Sequence, residues 1–302
     1  MSFIRSFSVV VPVFNKQAAI VRTLESVIAS VNFFAEHFQE YPVQPEIVVV
    51  DDCSTDQSRH IISEFSKRYS FIKTVFHSER THAGIARNSG VRSSQGEIIF
   101  FCDGDDVFFR EHILLCYLVL NYDPSEPKSR EFTFPTNGGP MSFELPEFRF
   151  GLVRTGVYIQ DSILPTWKAV IEATIPQNLC VRRECHEFVG GFPEQSVPFR
   201  LSGGGEDCCY SAWLDFAFRK AQVQIETVEY IRYPGNALDA QLRRFQSEQE
   251  GIPYSRTQTA MDLDKQALDI CKEHLERLKT KLRSKHLYPE LASFFLDRSS
   301  TN

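Results

Sequence analysis

In the stretch Glu97-Ile-Ile-Phe-Phe-Cys-Asp103-Gly-Asp105-Asp106, five near-continuously apolar residues, Ile98 to Cys102, run straight into three carboxylates interrupted by one glycine. An apolar run of this length, bounded by Gly96 and Gly104, reads as a strand buried on both faces. The carboxylates then stand at its C-terminal end, the edge of an open α/β sheet where ligands bind. Three crowded acidic side chains repel one another, and a cation is the simplest thing that would hold them together. Hard oxygen ligands with no His or Cys nearby suit Mg²⁺ or Mn²⁺, which take one or two protein carboxylates and leave the remaining positions to phosphates and water. The competing reading of the same cluster is a solvated acidic turn.

Working outward, strand and helix patterns alternate on the N-terminal side. Phe7 to Val13 is a strand, with Pro12 near its end because proline cannot donate a ladder hydrogen bond. Asn15 follows as a candidate helix cap, and Ile20, Leu24, Val27, Ile28 and Val31 recur at helical spacing. Ile47 to Val50 is a second buried strand ending in Asp51 and Asp52. Ser54-Thr-Asp-Gln57 has capping-box spacing before a helix whose inner face is Ile61, Ile62, Phe65 and Tyr69. A third strand runs from Phe71 to Phe76, and the turn Thr81-His-Ala-Gly84 enters a helix that carries Arg87 and Asn88. This alternation predicts an α/β fold with a mostly parallel central sheet built from βαβ units and flanked by helices.

Beyond residue 122 the rhythm breaks. Residues 123–166 are rich in Pro, Gly and aromatic residues, and the expectation there is a loop-rich excursion forming a lid or acceptor-contacting wall. Structure of mixed type resumes from Trp167 to Val189. Gly190-Gly-Phe-Pro193 reads as a turn, and Ser202-Gly-Gly-Gly-Glu206-Asp207 as a flexible loop running into a helix through Trp213 and Phe216. Val223, Ile225, Thr227 and Glu229 share one side of a strand. A last helix over 255–285 carries Leu263, Ala267, Ile270, His274, Leu278 and Leu282 near one face. The division expected is a domain over 1–250, with a nucleotide-binding half 1–122 and an acceptor-side half 123–250, followed by a C-terminal helical extension over 251–302.

Composition bounds the function. The 302 residues are 42% hydrophobic and 24% charged, with a net charge of −6, which argues against nucleic acid as a partner. No apolar stretch reaches the roughly 18 residues of a spanning helix and no segment resembles a signal peptide. The eight cysteines form no Cys-x-x-Cys pair and read as reduced thiols, so the expectation is a cytoplasmic protein. Contact with the inner membrane surface or with a second copy through the last helix stays open. The run Gly203-Gly-Gly205 lacks the lysine and serine of a phosphate-binding loop.

Five segments together resemble one family. Val9-Val-Val-Pro-Val-Phe-Asn15, Val48-Val-Val-Asp-Asp52-Cys-Ser-Thr-Asp56, Gly84-Ile-Ala-Arg-Asn88-Ser-Gly90, Gly96 to Asp106, and Gly205-Glu-Asp207 are similar, in order and interval, to the family 2 glycosyltransferases. The resemblance covers residues 5 to about 235 and implies inverting enzymes of the GT-A fold acting on a nucleotide sugar. It implies that Asp52 contacts the nucleotide base, with the backbone of Pro12, Val13 and Phe14 lining that pocket. It puts Arg87 and Asn88 near the nucleotide, Asp103 with Gly104 near the ribose and Asp105 on the metal (Mn²⁺ or Mg²⁺). Asp207 matches the catalytic base and Glu206 its supporting neighbour. Taken singly, Asp51-Asp52 could be a turn, Arg87 a surface residue and Glu206-Asp207 a helix cap, while His82 and Trp213 read as structural. At its helix start, the Asp207 carboxylate is expected to be favoured as the anion, with a low pKa.

The sequence departs from the family pattern at two places. Tyr230-Ile-Arg-Tyr-Pro-Gly-Asn236 carries Tyr233 where relatives have a His able to reach metal or diphosphate, leaving Arg232 as another candidate for the phosphates. Gln241-Leu-Arg-Arg244-Phe245 is near the Gln-x-x-Arg-Trp of processive synthases but lacks the Trp, which points to addition of one sugar. The reading is an inverting, metal-dependent transfer from a nucleotide sugar, a UDP-sugar by preference, to a hydroxyl on a glycan, lipid-linked or small acceptor. Its rivals are a non-catalytic nucleotide-sugar-binding member and a sugar nucleotidyltransferase. The latter wants a glycine-rich basic loop where this chain has Pro12-Val-Phe-Asn-Lys16.

Overall fold

The computed structural model describes residues 3–125, 131–136, 139–144, 148–194, 198–199, 204–251 and 257–296. Its first half is the expected alternation: β1 (Ser6–Val13), α1 (Ile20–His37), β2 (Gln44–Asp51), α2 (Ser58–Arg68), β3 (Ile72–Phe76), α3 (Ala83–Arg92) and β4 (Ile98–Phe101). The second half holds β5 (Val107–Phe108), α4 (His112–Asn121), β6 (Glu131–Thr136), β7 (Gly139–Glu144), β8 (Leu152–Tyr158), α5 (Pro165–Thr174), β9 (Leu179–Arg182) and α6 (Arg183–Val189). It continues with α7 (Glu206–Ala217), β10 (Lys220–Glu229), α8 (Ala237–Gln249) and α9 (Gln258–Arg283).

Eight strands form one sheet in the order β3-β2-β1-β4-β9-β8-β10-β5, and β6 and β7 pair separately. β3, β2, β1 and β4 are mutually parallel, as is the β8–β10 pair, whereas β9 and β5 run antiparallel to their neighbours. The order places β1 between β2 and β4, so the chain reverses its direction of sheet growth there. That switch point opens a crevice beyond the C-terminal ends of the strands. Pro12 is tolerated in a central strand because the β1–β4 ladder has already ended at Val10 opposite Phe101. Its carbonyl still accepts from the Gly104 N–H at 3.2 Å.

Side chains alternate between two cores. Val9 and Val11 join a core with α1, α4 and Phe100, while Val10 joins one with Ile99, Phe101, α6, α7 and α9. The last helix belongs to this second core. Leu278 is buried, Trp213 Nε1 donates to the Cys271 carbonyl at 3.3 Å, and Phe295 stacks on Phe218 at 5.3 Å. No helix among the described residues is long and apolar enough to cross a membrane.

Three local expectations are corrected. The region 123–166 is not an irregular excursion throughout. β8 enters the main sheet with six of its seven residues buried, and β6 and β7 form a hairpin. The pattern was masked because Arg154 and Thr155 are polar yet fully buried. The Arg154 guanidinium donates to the Ile175 carbonyl at 2.8 Å, Asn178 Oδ1 at 2.9 Å and Ser211 Oγ at 2.6 Å, which engages both of its terminal nitrogens in the interior. Residues 126–130, 137–138 and 145–147 of that region, and 202–203 of the glycine-rich loop, lie outside the described residues. The other two corrections concern caps. Asn15 caps no helix; at φ +52° its Oδ1 accepts from the Thr55 N–H at 2.8 Å. Ser54 does not cap α2, whose first N–H is taken by Asp56 Oδ1 at 2.9 Å; its Oγ accepts from the Asn15 N–H at 3.0 Å. The two predicted caps instead bind the loops after β1 and β2 to each other.

Candidate active site

A cavity of about 380 Å³ lies at the switch point, beyond the ends of β1, β2 and β4. Pro12, Val13, Phe14, Asp52, Asp103, Gly104 and Asp105, seven of the site residues expected from sequence, line it together. Lys16, Arg80, His82, Asp106, Tyr230, Tyr233 and Asn236 line it as well.

Asp52 directly follows β2 and is nearly inaccessible. Its Oδ1 accepts from His77 Nδ1 at 2.9 Å, the Thr81 N–H at 2.8 Å and Thr81 Oγ1 at 2.7 Å, and its Oδ2 accepts from the His82 N–H at 2.9 Å. Burial opposes the anion, but these hydrogen bonds outweigh it and hold the carboxyl below its ordinary range. They also hold His82 at φ +121°, a conformation that side chains other than glycine rarely adopt. Burial, then the nearby Arg87 cation, lowers the His82 pKa to about 4, so the imidazole is neutral at pH 7.

Arg87 does not line the cavity; it is buried behind it. One guanidinium nitrogen lies 2.7 and 2.8 Å from the two oxygens of Asp103, and the other terminal nitrogen lies 3.2 Å from Glu206 Oε1. Burial would lower its pKa; Asp103 and Glu206 more than offset that and raise it. Gly90, one turn further along α3, allows this approach: a Cβ there would lie 2.3 Å from Val10 Cγ1. Asn88, Glu206 and Asp207 do not line the cavity either, and Asn88 is turned to another task. Its amide clamps the 190–194 turn, donating to the Phe192 carbonyl and accepting from the Phe192 N–H, both at 2.9 Å, and it borders a separate depression with Arg92 and Arg183.

Glu206 and Asp207 form the first turn of α7, entered through Gly205 at φ +104°. Glu206 is buried, and its Oε2 has no hydrogen-bond partner among the described residues. The expected low pKa of Asp207 is reversed. Burial, reinforced by the Glu206 charge, pushes its carboxyl up to about 6, although the Cys208 N–H donates to its Oδ1 at 2.8 Å. A helix terminus contributes less here than an adjacent carboxylate in a partly desolvated site.

The acidic turn after β4 sends its three carboxylates in three directions. Asp103 goes to Arg87. Asp106 turns inward, is 2% exposed, and pairs with the Gln177 amide and the Ile231 N–H; burial, then Asp105 and Asp103, raises its pKa well above normal. Asp105 faces the cavity, with Lys16 Nζ at 2.5 Å from its Oδ2 and the Tyr233 hydroxyl on the same oxygen. No group of three ligating side chains occurs among the described residues. The donor set, one cavity-facing carboxylate with Asp103 next to it, fits a Mg²⁺ or Mn²⁺ ion completed by phosphate and water. Tyr233, rather than Arg232, takes the position opposite Asp105. Arg232 is held by Asp161 at 2.9 Å and Asp239 at 3.0 Å, away from this cavity.

Sequence reasoning passed over Lys16, Arg80 and Tyr230 as site residues and read His82 as structural. Lys16 follows the Pro-Val-Phe-Asn segment directly, so its reach into the cavity was available as a signal. Arg80 packs over the Phe14 ring at 3.8 Å, a contact that no local spacing announces.

Comparison with known proteins agrees with this geometry. Residues 8–125 match the family described as Glycosyl transferase family 2. Glycosyltransferase AglE of Haloferax volcanii is 29% identical over 200 residues, covering 65% of this chain and 58% of AglE, so the chain spans a little over half of that relative. Among solved structures, S. aureus TarS 1-349 in complex with UDP-GlcNAc superposes with a TM-score of 0.56 at 18% identity, covering 78% of this chain and 61% of that one. The mannosyltransferase PcManGT from Pyrobaculum calidifontis, in complex with GDP-Man and Mn2+, gives a TM-score of 0.53 at 16% identity over 95% of this chain and 76% of that one. The family match spans the strands and turns that build the cavity, residues 8–125, and the chain has the GT-A fold of the family 2 glycosyltransferases.

Proposed function

We propose that this chain transfers one sugar, with inversion, from a nucleotide sugar (a UDP-sugar by preference) to an acceptor hydroxyl. The single observation that carries this reading is the buried Arg87, which touches both Asp103 on the donor side and Glu206 beside Asp207. One guanidinium thereby holds the two catalytic edges at fixed separation, which is the positioning a displacement reaction needs.

In this reading the base and ribose fit between Phe14, Asp52 and Asp103, and the diphosphate lies towards Asp105. A divalent ion held by Asp105 would supply charge stabilisation to the departing diphosphate. Asp207 accepts the acceptor's hydroxyl proton. The freed oxygen attacks the anomeric carbon opposite the leaving group, the carbon–oxygen bond to phosphate breaks, and its electron pair leaves with the nucleoside diphosphate. A base near pH 6 is ionised at neutral pH yet basic enough to take that proton as the new bond forms. Glu206 and Arg87 keep it oriented.

Release of UDP from a panel of UDP-sugars and acceptors tests this. Asp207→Asn should lower kcat by roughly 10²–10⁴-fold while UDP affinity stays within about twofold. Transfer at the wild-type rate by that variant would remove Asp207 as the base. Chelation by EDTA should abolish turnover, and an unchanged rate would remove Asp105 from its metal role.

A further inference from the structure

Lys16 is one of the lining residues that the family resemblance does not account for. Its backbone is fixed: the N–H donates to Ser58 Oγ at 2.8 Å, and its carbonyl accepts from the Ala19 and Ile20 N–H groups, both at 2.9 Å. Its side chain crosses the cavity past Gly104 to reach Asp105 at 2.5 Å and the Tyr233 hydroxyl. All four residues line the one cavity.

The ammonium and a divalent ion compete for the same place. A Mg²⁺ ion sits about 2.0–2.1 Å from a carboxylate oxygen. The Lys16 nitrogen already lies 2.5 Å from Asp105 Oδ2. The ammonium and the Tyr233 hydroxyl already occupy that oxygen, and an ion on either oxygen of the same carboxylate would meet the ammonium's like charge at close range. A metal ion bound by Asp105 therefore moves Lys16, and the anchored backbone leaves its head group the cavity to move into. On the reading above, that is where the diphosphate lies. The other cations nearby are already engaged. Arg87 is shared by Asp103 and Glu206, Arg232 by Asp161 and Asp239, and Arg80 covers the Phe14 ring.

We propose that Lys16 is a ligand of the donor's diphosphate, and that before the donor arrives it serves as the counter-ion of Asp105, excluding a divalent ion from the nucleotide-free protein. The assignment rests on the nucleotide-sugar reading. It makes metal entry conditional on the nucleotide: the diphosphate draws Lys16 off Asp105, and the vacated oxygen accepts the ion. Net charge fits the departing group: one divalent ion balances the two negative charges of the donor's diphosphate, and the further charge that develops as the bond to the sugar breaks is left for the ammonium to meet.

The experiment is calorimetric titration of wild type, Lys16→Met and Lys16→Arg, each first checked for a native circular dichroism spectrum. MnCl₂ alone, UDP in EDTA, and UDP with Mn²⁺ are the three titrants. Lys16→Met should bind Mn²⁺ alone roughly tenfold more tightly than wild type and UDP in EDTA roughly tenfold more weakly, the size of a lost charge-assisted hydrogen bond. Lys16→Arg should recover part of the UDP affinity. Wild-type affinities in Lys16→Met for both Mn²⁺ alone and UDP in EDTA overturn the role of Lys16 while leaving the nucleotide-sugar reading intact. A wild-type protein that binds no UDP with or without Mn²⁺, and no other nucleoside diphosphate, overturns that reading and this assignment with it.

Discussion

Asp52 and Asp207 are the same side chain, and their surroundings drive them in opposite directions. Four donors hold Asp52 as an anion, whereas burial beside Glu206 raises Asp207 to about 6. The pH dependence follows with its sign. The base acts deprotonated, so kcat/KM should rise as pH increases through about 6 and level off above 7 in a pH–rate profile. A midpoint near 4 would mean that the carboxylate is not perturbed. Stability runs the other way. The folded carboxyl binds its proton more tightly than the unfolded one, about 6 against 3.8, so ionised Asp207 costs stability above pH 6 and nothing below about pH 4. Asp207→Asn should therefore be more stable than wild type by about 1–2 kcal/mol at pH 8, allowing for the side chain's partial exposure, with the gain shrinking by pH 5. Thermal unfolding at the two pH values checks this. The place of Asp207 at a helix start was legible in the Gly-Glu-Asp segment, but its pKa was not. A sequence shows the helix terminus without showing how much water the fold removes.

At the level of elements, α3 depends on contact with β1 that only a missing side chain permits. Gly90→Val should force α3 away from Val10, destabilising the fold by about 1–3 kcal/mol, the usual cost of overpacking. Because Arg87 rides on the same helix, UDP affinity should fall as well. Denaturant unfolding and UDP titration of the variant measure both, and an unaltered UDP affinity would separate the packing of α3 from the site. The elements that carry this contact were readable from sequence, since Val9–Val13, Ile47–Val50 and Ile98–Cys102 are continuous apolar runs flanked by turn residues. β8 was not readable, because Arg154 and Thr155 interrupt its apolar pattern; Arg154 donates to Asn178 and Ser211, and the Thr155 hydroxyl pairs with that of Thr227, all residues distant in the chain. The missed strand and the inward-facing Asp106 share a cause: polar groups buried among tertiary partners look, in one dimension, like surface.

For the molecule as a whole, the sheet's second face is completed by residues 258–296, so the last helix and α7 share a core. Leu278→Ala, at a 2% exposed position, should cost about 2–5 kcal/mol. The loss should appear as one transition, with Trp213 fluorescence and far-ultraviolet circular dichroism moving together. Two separated transitions would show the C-terminal helix melting on its own. Arg87 bears on a different property of the whole. Its two carboxylate partners come from separate elements, the turn after β4 and the start of α7, so a single guanidinium bolts those elements together. An enzyme fastened this way has no hinge to swing: substrates must come and go past side chains and loops, and the radius of gyration seen by X-ray scattering should be the same with UDP as without.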